Sequence, residues 1–271
     1  YPRILALTAS PGSEVETIKE VCKNLFISEI EVRTDQDPDV KPYVQDISVQ
    51  WVHVVLPPQF QKIREQLNHL IKDRLAQIKS TAQVNINVDR LGKKELLALQ
   101  GQLHSQVMQG QKDFSTLRAI SLLAEVMKAS HGLELIETQG VHALTTYMDK
   151  LDEQSHSSKV KALQNLVKDA DWRASKYLAL DLNEKKIEHP KVPMVRKIVS
   201  DVLAAGADAK IMIFTQYRDT ASTLKAALAQ RSEIFVGQMK KGQTGMSQKE
   251  QKKLLDSFRA GEFPVLISTS I

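Results

Sequence analysis

Leu7-Thr8-Ala9-Ser10-Pro11-Gly12 and, about two hundred residues further on, Ile211-Met212-Ile213-Phe214-Thr215-Gln216-Tyr217-Arg218 decide the reading of this chain. Each is a short apolar run passing into a turn with hydroxyls, and the second turn adds a basic residue. Open α/β sheets place groups that touch phosphates or a neighbouring domain at the carboxyl ends of their strands. Between the two stretches the hydrophobic period is mostly that of helices. The expected fold is therefore α/β in two incomplete parts, 1–56 and 190–271, with a large all-α insertion over 57–189.

In the first part Ile4-Leu5-Ala6-Leu7 reads as a buried strand. Ser13, with Glu16 three residues on, is expected to cap a helix to about Asn24. Glu29–Arg33 alternates at period two, and Val49, Trp51, Val52, Val54, Val55 and Leu56 make a further strand. From Gln59 the period changes: Phe60, Ile63, Leu67, Leu70, Ile71, Leu75 and Ile78 fall three and four apart, as on an amphipathic helix. Ser80–Gly92 reads as a loop, followed by helices over Lys93–Met108 and Phe114–Ser130. His131-Gly132 reads as a turn, a fourth helix follows through Leu151, and Ser158 is expected to cap a fifth as far as Tyr177. After His189-Pro190 the spacing predicts helix 192–204, strand 210–215, helix 218–230, strand 233–236, helix 247–259 and strand 264–269. Such alternation implies parallel strands.

Composition narrows the function. Of 271 residues 42% are hydrophobic, enough for one large core or two modest ones. The single cysteine, Cys22, excludes an internal disulfide and a multi-cysteine zinc site and fits a reducing compartment. No apolar run approaches the ~18 residues of a membrane span. A net charge of +5 permits a polyanionic partner. Aromatic content of 5% argues against base stacking as the main binding mode. Tyr1-Pro2-Arg3 at one end and the strand-like Pro264–Ile271 at the other read as cuts through a longer pattern.

Each motif has two readings. Thr8-Ala9-Ser10-Pro11-Gly12 is ordinary turn chemistry, or it places two hydroxyls beside the carboxylates that hold a metal–nucleotide complex. Thr215 and Arg218 either cap and decorate a helix, or hold a backbone phosphate at its N-terminus, where free N–H groups bind anions. An arginine in a first turn opposes the helix dipole, a mild cost that favours the second reading. Phe235-Val236-Gly237-Gln238 ends a strand on a residue without Cβ, so a nucleic-acid strand can approach the backbone. The Met239–Gly245 loop reads equally as a phosphate nest and as a plain flexible loop. Gly92-Lys93-Lys94 lacks the pattern of a phosphate-binding loop. Asp152-Glu153-Gln154-Ser155-His156 is a helix end rather than a catalytic box, and the seven histidines show no metal-ligand spacing.

Thr8-Ala9-Ser10 and Phe214–Arg218 resemble motifs III and IV of superfamily 2 helicases, and Ile267–Ile271 resembles the start of motif V. Arg3–Ser13, Asp37-Pro38-Asp39-Val40-Lys41-Pro42-Tyr43-Val44, Glu137–Gly140, Gly245–Gln251 and Phe258–Phe263 closely resemble the archaeal Hef helicase and its eukaryotic relative, the Fanconi anaemia M protein. The resemblance implies two RecA-like motor parts around a polymerase-thumb-like insertion, in an ATP-dependent DNA helicase or translocase acting on forked or branched DNA. It implies ATP and Mg²⁺ as cofactors of the whole motor, and a cytoplasmic setting in an archaeal-type cell or a nuclear one in a eukaryote. Thr8, Ala9 and Ser10 would couple nucleotide state to movement. DNA contacts are expected from Thr215, Arg218, Gly237, Gln238, Lys249 and Thr269, and on the insertion from Lys62, Arg64, Lys72, Arg74, Lys93, Lys94 and Arg118. The 271 residues contain no P-loop, DExx box or motif VI, so no catalytic or metal-binding residue is expected here and the chain alone should not hydrolyse ATP. Two alternatives stand beside this: a non-enzymatic nucleic-acid or protein-binding module, and an RNA helicase like the RNA sensors and Dicer.

Overall fold

An apolar run becomes a strand only where another strand lies beside it to take its N–H and C=O groups, and the two ends of the chain differ in this. The computed structural model describes residues 3–8, 10, 12, 14–45, 47–82, 84, 92–110, 113–206, 208–237 and 245–269. They fall into two units, residues 1–52 and 53–271. In the first unit, α1 (Val15–Asn24) is the main regular element. A single 3₁₀ turn, Lys41–Tyr43, follows Asp37, whose carboxylate accepts from the Thr34 N–H and hydroxyl. The strands expected at Ile4–Leu7, Glu29–Arg33 and Val49–Leu56 are not formed. The apolar runs are present, but among the described residues no ladder partner lies alongside, and Leu7 is 85% and Trp51 83% exposed. The expected Ser13 cap lies outside the described residues; the N-cap position of α1 is Glu14, whose side chain makes no capping bond.

In the second unit the change of period at Gln59 is realised as α2 (Pro58–Ala82), which buries Phe60, Ile63, Leu67, Leu70, Leu75 and Ile78. Then come α3 (Lys93–Met108) and α4 (Phe114–Thr138), the latter capped by the Asp113 carboxylate on the Thr116 N–H. Helix α4 runs straight through His131-Gly132, where a turn was expected. Packing overrides the turn signal there: a Cβ on Gly132 would sit 3.4 Å from Leu144 Cδ1 and 3.7 Å from Trp172. The position is enclosed by neighbouring helices, where a Cβ would make only ordinary contact. The break comes instead at Gly140, whose φ of +98° is left-handed backbone that other residues rarely adopt. Helix α5 (Val141–Ser157) follows, then α6 (Lys161–Lys168) and α7 (Ala170–Glu184) in place of the single helix expected after Ser158. Asp169 divides them, because its carboxylate accepts from the Asp171 and Trp172 N–H groups and starts a new helix.

The βα part is α8 (Lys191–Ala205), β1 (Ile211–Thr215), α9 (Arg218–Ala227), β2 (Ser232–Phe235), α10 (Gln248–Arg259) and β3 (Val265–Thr269). The strands are parallel in the order β1-β3-β2, with Ile211 opposite Val265 and Thr215 opposite Thr269. One core unites α8 and α9 with β3 through Val199, Leu224, Val265 and Ile267, and Phe258 of α10 packs with Phe235 and Leu266 in another. The helical core of Phe60, Leu67, Leu144, Met148 and Trp172 is separate from both.

The helical bundle passes into the βα part at His189, a buried ring packed edge-on against Phe60 at 5.8 Å. Its Nδ1 accepts from the Lys191 N–H, so Nε2 carries the proton. The buried Nε2 meets no hydrogen-bond partner among the described residues. Burial, then the Lys191 charge, push the imidazole down to about 4. An imidazole held neutral in the fold stabilises it fully above the unfolded value of 6.5, and that contribution drains away as pH falls towards 4. His189 should therefore cost about 2 kcal/mol of stability between pH 7 and pH 5. Urea titrations at several pH values should show this loss in the parent and a flatter profile in His189→Gln.

Candidate nucleic-acid interface

Parallel strands of equal register end together, so whatever follows them gathers on one edge. Thr215 and Thr269 are register partners at the carboxyl ends of β1 and β3, and Phe235 lies opposite Ser268. The chain therefore leaves β2 at Val236-Gly237 on the same edge. Thr269 is buried and Thr215 half-buried, while Ser268 Oγ donates to the Thr269 carbonyl. Two residues past Thr215, Tyr217 takes the N-cap position of α9 and Arg218 is the first helical residue. Arg218 Nη2 donates to the Gly237 carbonyl at 3.2 Å, tying the start of α9 to the exit of β2. Four expected residues, Thr215, Arg218, Gly237 and Thr269, are thus brought together, at the start of a helix whose N-cap side chain leaves the first N–H groups uncapped. Gln238 and the loop 239–244 lie outside the described residues.

Lys249 is exposed in the first turn of α10, but that turn is not an open anion site. Ser247 and Glu250 close a capping box, with Glu250 accepting from the Ser247 N–H and hydroxyl at 2.7 Å. Those bonds hold the Glu250 carboxyl below its usual range, so it stays charged. Lys249 offers its own ammonium and little help from the helix end.

The insertion residues are more scattered. Lys62, Lys72, Lys93, Lys94 and Arg118 are exposed and Arg64 is half-buried. Lys93 and Lys94 share the first turn of α3. Arg74 is not available to a phosphate. Its Nε donates to Glu125 at 2.8 Å, Nη2 to Asp169 at 2.6 Å and Nη1 to Asp73 at 2.5 Å. Glu125 is 1% exposed, and burial pushes its carboxyl up despite Arg74. The signal for this partnership was a glutamate on the apolar stripe of α4 between Leu122 and Val126, since a buried charge needs a partner. Near the DExxH-like stretch, Asp152 pairs with Lys176, as does Asp149. This is structural ion pairing. In the first unit, Thr8 Oγ1 accepts from the Ser10 N–H at 3.1 Å, both residues being exposed; Ala9 lies outside the described residues.

One contact was not foreseen. The Tyr217 hydroxyl, one residue before Arg218, donates to Glu134 of α4 at 2.8 Å. Burial, then the bond and charge of Glu134, push the phenol up to about 12. Burial pushes the Glu134 carboxyl up, but hydrogen bonds from Tyr217 and His131 with the charges of Lys93 and His131 outweigh it and hold it low. The charge of Lys93 is therefore felt beside the turn that opens α9. Among the described residues no cluster of His, Cys, Asp or Glu could hold a metal, and no helix is long and apolar enough to cross a membrane.

Residues 59–186 match the family described as the helical bundle of an ATP-dependent RNA helicase, and residues 191–271 the helicase conserved C-terminal domain. A Methanocaldococcus jannaschii protein named provisionally as an ATP-dependent RNA helicase is 35% identical over 99% of this chain and 33% of its own length. The DEAD-box ATP-dependent DNA helicase Fancm of Drosophila melanogaster is 27% identical over 100% of the chain and 20% of its own. The crystal structure of the Pyrococcus furiosus Hef helicase domain is similar with a TM-score of 0.75 and 33% identity, covering 97% of this chain and 54% of that one. The chain thus spans a third or less of these two curated relatives.

Exposed and committed basic residues should separate in the test tube. Arg74→Ala leaves Glu125 buried without its cation and should lower stability by about 3 kcal/mol. Arg74→Met with Glu125→Leu should recover most of that loss. Lys94→Ala, on the exposed first turn of α3, should leave the denaturation midpoint unchanged.

Proposed function

Since this chain belongs to the Hef/FANCM family of superfamily 2 helicases, we propose that it forms the DNA-gripping part of an ATP-driven motor acting on forked or branched DNA in repair and replication restart. The observation that carries the reading is the convergence of Thr215, Arg218, Gly237 and Thr269 on the carboxyl edge of one parallel sheet. Hydroxyls, a guanidinium and uncapped helix N–H groups suit a backbone phosphate, which carries no base identity. Residues 190–271 then serve as the start of the second RecA-like motor domain, 57–189 as the thumb-like insertion, and 1–56 as the end of the first motor domain. In that setting the extended runs of 1–56 take ladder partners in a sheet completed by sequence that the longer relatives carry. Lys62, Arg64, Lys72, Lys93, Lys94 and Arg118 supply an electrostatic surface on the insertion, and Lys249 adds to the motor side.

ATP and Mg²⁺ belong to the complete motor. The residues present here do not form their cradle: these 271 contain neither a P-loop lysine nor a DExx carboxylate pair, and no phosphoryl-transfer step runs through them. Thr8, Ala9 and Ser10 would report on the nucleotide from the motif III position. The purified 271-residue chain should show no ATPase activity above buffer with or without DNA, whereas the complete motor turns over ATP.

The DNA reading is tested by titrating fork, linear duplex and RNA duplex against the complete motor at several salt concentrations. The fork should bind most tightly, and Arg218→Ala should reduce the log–log salt slope by about 1. Lys93→Ala with Lys94→Ala should reduce it by up to about 2 if both meet phosphates. Unchanged slopes and fork preference in all variants would remove these residues from the interface. Tighter binding of RNA duplex than of fork would favour the RNA-helicase alternative that the names of two of the matches raise.

A further inference from the structure

A domain joined to another at one hinge is free to rotate about it; a second contact away from the hinge fixes the angle. The insertion meets the βα part at such a hinge, where His189 packs on Phe60 and Lys191 Nζ reaches the Glu137 carbonyl at 3.4 Å. The Tyr217–Glu134 bond joins residues 83 apart in sequence and lands on the turn between β1 and α9. On the insertion side it is well founded. Glu134 also meets His131 Nδ1 at 3.5 Å, and the His131 ring stands edge-on to Tyr147 at 4.8 Å. Tyr147 in turn packs edge-on to the fully buried Trp172 at 6.4 Å, and its hydroxyl bonds the Lys128 carbonyl. On the other side Tyr217 is followed at once by Arg218, whose guanidinium holds Gly237.

We propose that Tyr217 and Glu134 are a positioning pair that sets the insertion at a fixed angle to the carboxyl edge of the sheet. This keeps the exposed Lys93–Lys94 turn of α3 in register with the Thr215–Arg218 edge. The positioning itself stands without any assumption about function; its consequence for unwinding rests on the motor reading above. Neither residue touches the reacting atoms. Their effect is on how movement of the βα part is passed to DNA held by the insertion.

The test has two arms. In the 271-residue chain, with Cys22→Ser, spin labels at Glu153→Cys in α5 and Lys252→Cys in α10 report the distance between the parts by pulsed electron paramagnetic resonance. The parent should give one narrow distribution, and Tyr217→Phe and Glu134→Ala should each broaden it. Glu134→Gln, which keeps an oxygen acceptor for the hydroxyl, should restore the narrow form. Tyr217→Phe combined with Glu134→Ala should be no broader than Glu134→Ala alone, because both lose the same Tyr217–Glu134 bond. In the complete motor, base pairs unwound per ATP should fall several-fold in Tyr217→Phe and Glu134→Ala and hold in Glu134→Gln, with the DNA salt slope unchanged throughout. A narrow distance that survives Tyr217→Phe, or broadening by Glu134→Gln equal to that by Glu134→Ala, overturns the pair. Broadening as expected in the 271-residue chain, beside a complete motor that unwinds nothing, would leave the pair standing and sink the helicase reading instead.

Discussion

One guanidinium ties three helices of the bundle to one another. Arg74 of α2 reaches Glu125 of α4 with one nitrogen and Asp169, the N-cap of α7, with another. Asp169 serves twice, one oxygen on Arg74 and the other on the N–H groups that begin α7. Three helices are therefore tied at one polar point within a largely apolar core. Burying a carboxylate as deeply as Glu125 is costly, and the paired charge offsets that cost rather than adding a large net stabilisation. What such a cluster does contribute is specificity: a slip of α2 by one turn would leave Glu125 without its cation. The surrounding leucines, being interchangeable in shape, would tolerate such a slip more readily.

The bundle so fixed presents the last two turns of α4 to the rest of its unit. His131, Glu134 and Glu137 lie along that stretch, and the chain's return path through His189 and Lys191 closes against it. Gly140 makes the closure possible, since a Cβ there would stand 3.1 Å from that of His189. A break with left-handed backbone and a close approach coincide at one residue, so the helix end and the junction are a single structural event.

The carboxyl edge of the sheet shows the same economy. Equal register in β1 and β3 places Thr215 and Thr269 side by side, and the parallel pairing of β2 brings Gly237 within reach of Arg218. None of these residues is unusual alone. Ser247 and Glu250 show the opposite case, a helix start whose capping box satisfies part of its own N–H groups.

Periodicity determined much of this protein. The three-and-four spacing from Phe60 to Ile78, the βα alternation after Pro190 and the strand ends at Thr215 and Thr269 were legible because each depends on residues close in sequence. So were the turn hydroxyls and Arg218. Tertiary structure decided the rest. Gly132 reads as a turn until Leu144 and Trp172 close over it, and Arg74 reads as a surface charge until Glu125 and Asp169, 51 and 95 residues away, claim it. Ile4–Leu7, Glu29–Arg33 and Val49–Leu56 read like strands yet stay unpaired among the described residues, because an apolar pattern states what a strand would bury and not whether a neighbour is there to bond it. Tyr217 and Glu134 carry no local signal, since a hydrogen bond between residues 83 apart is a property of how two packed parts meet.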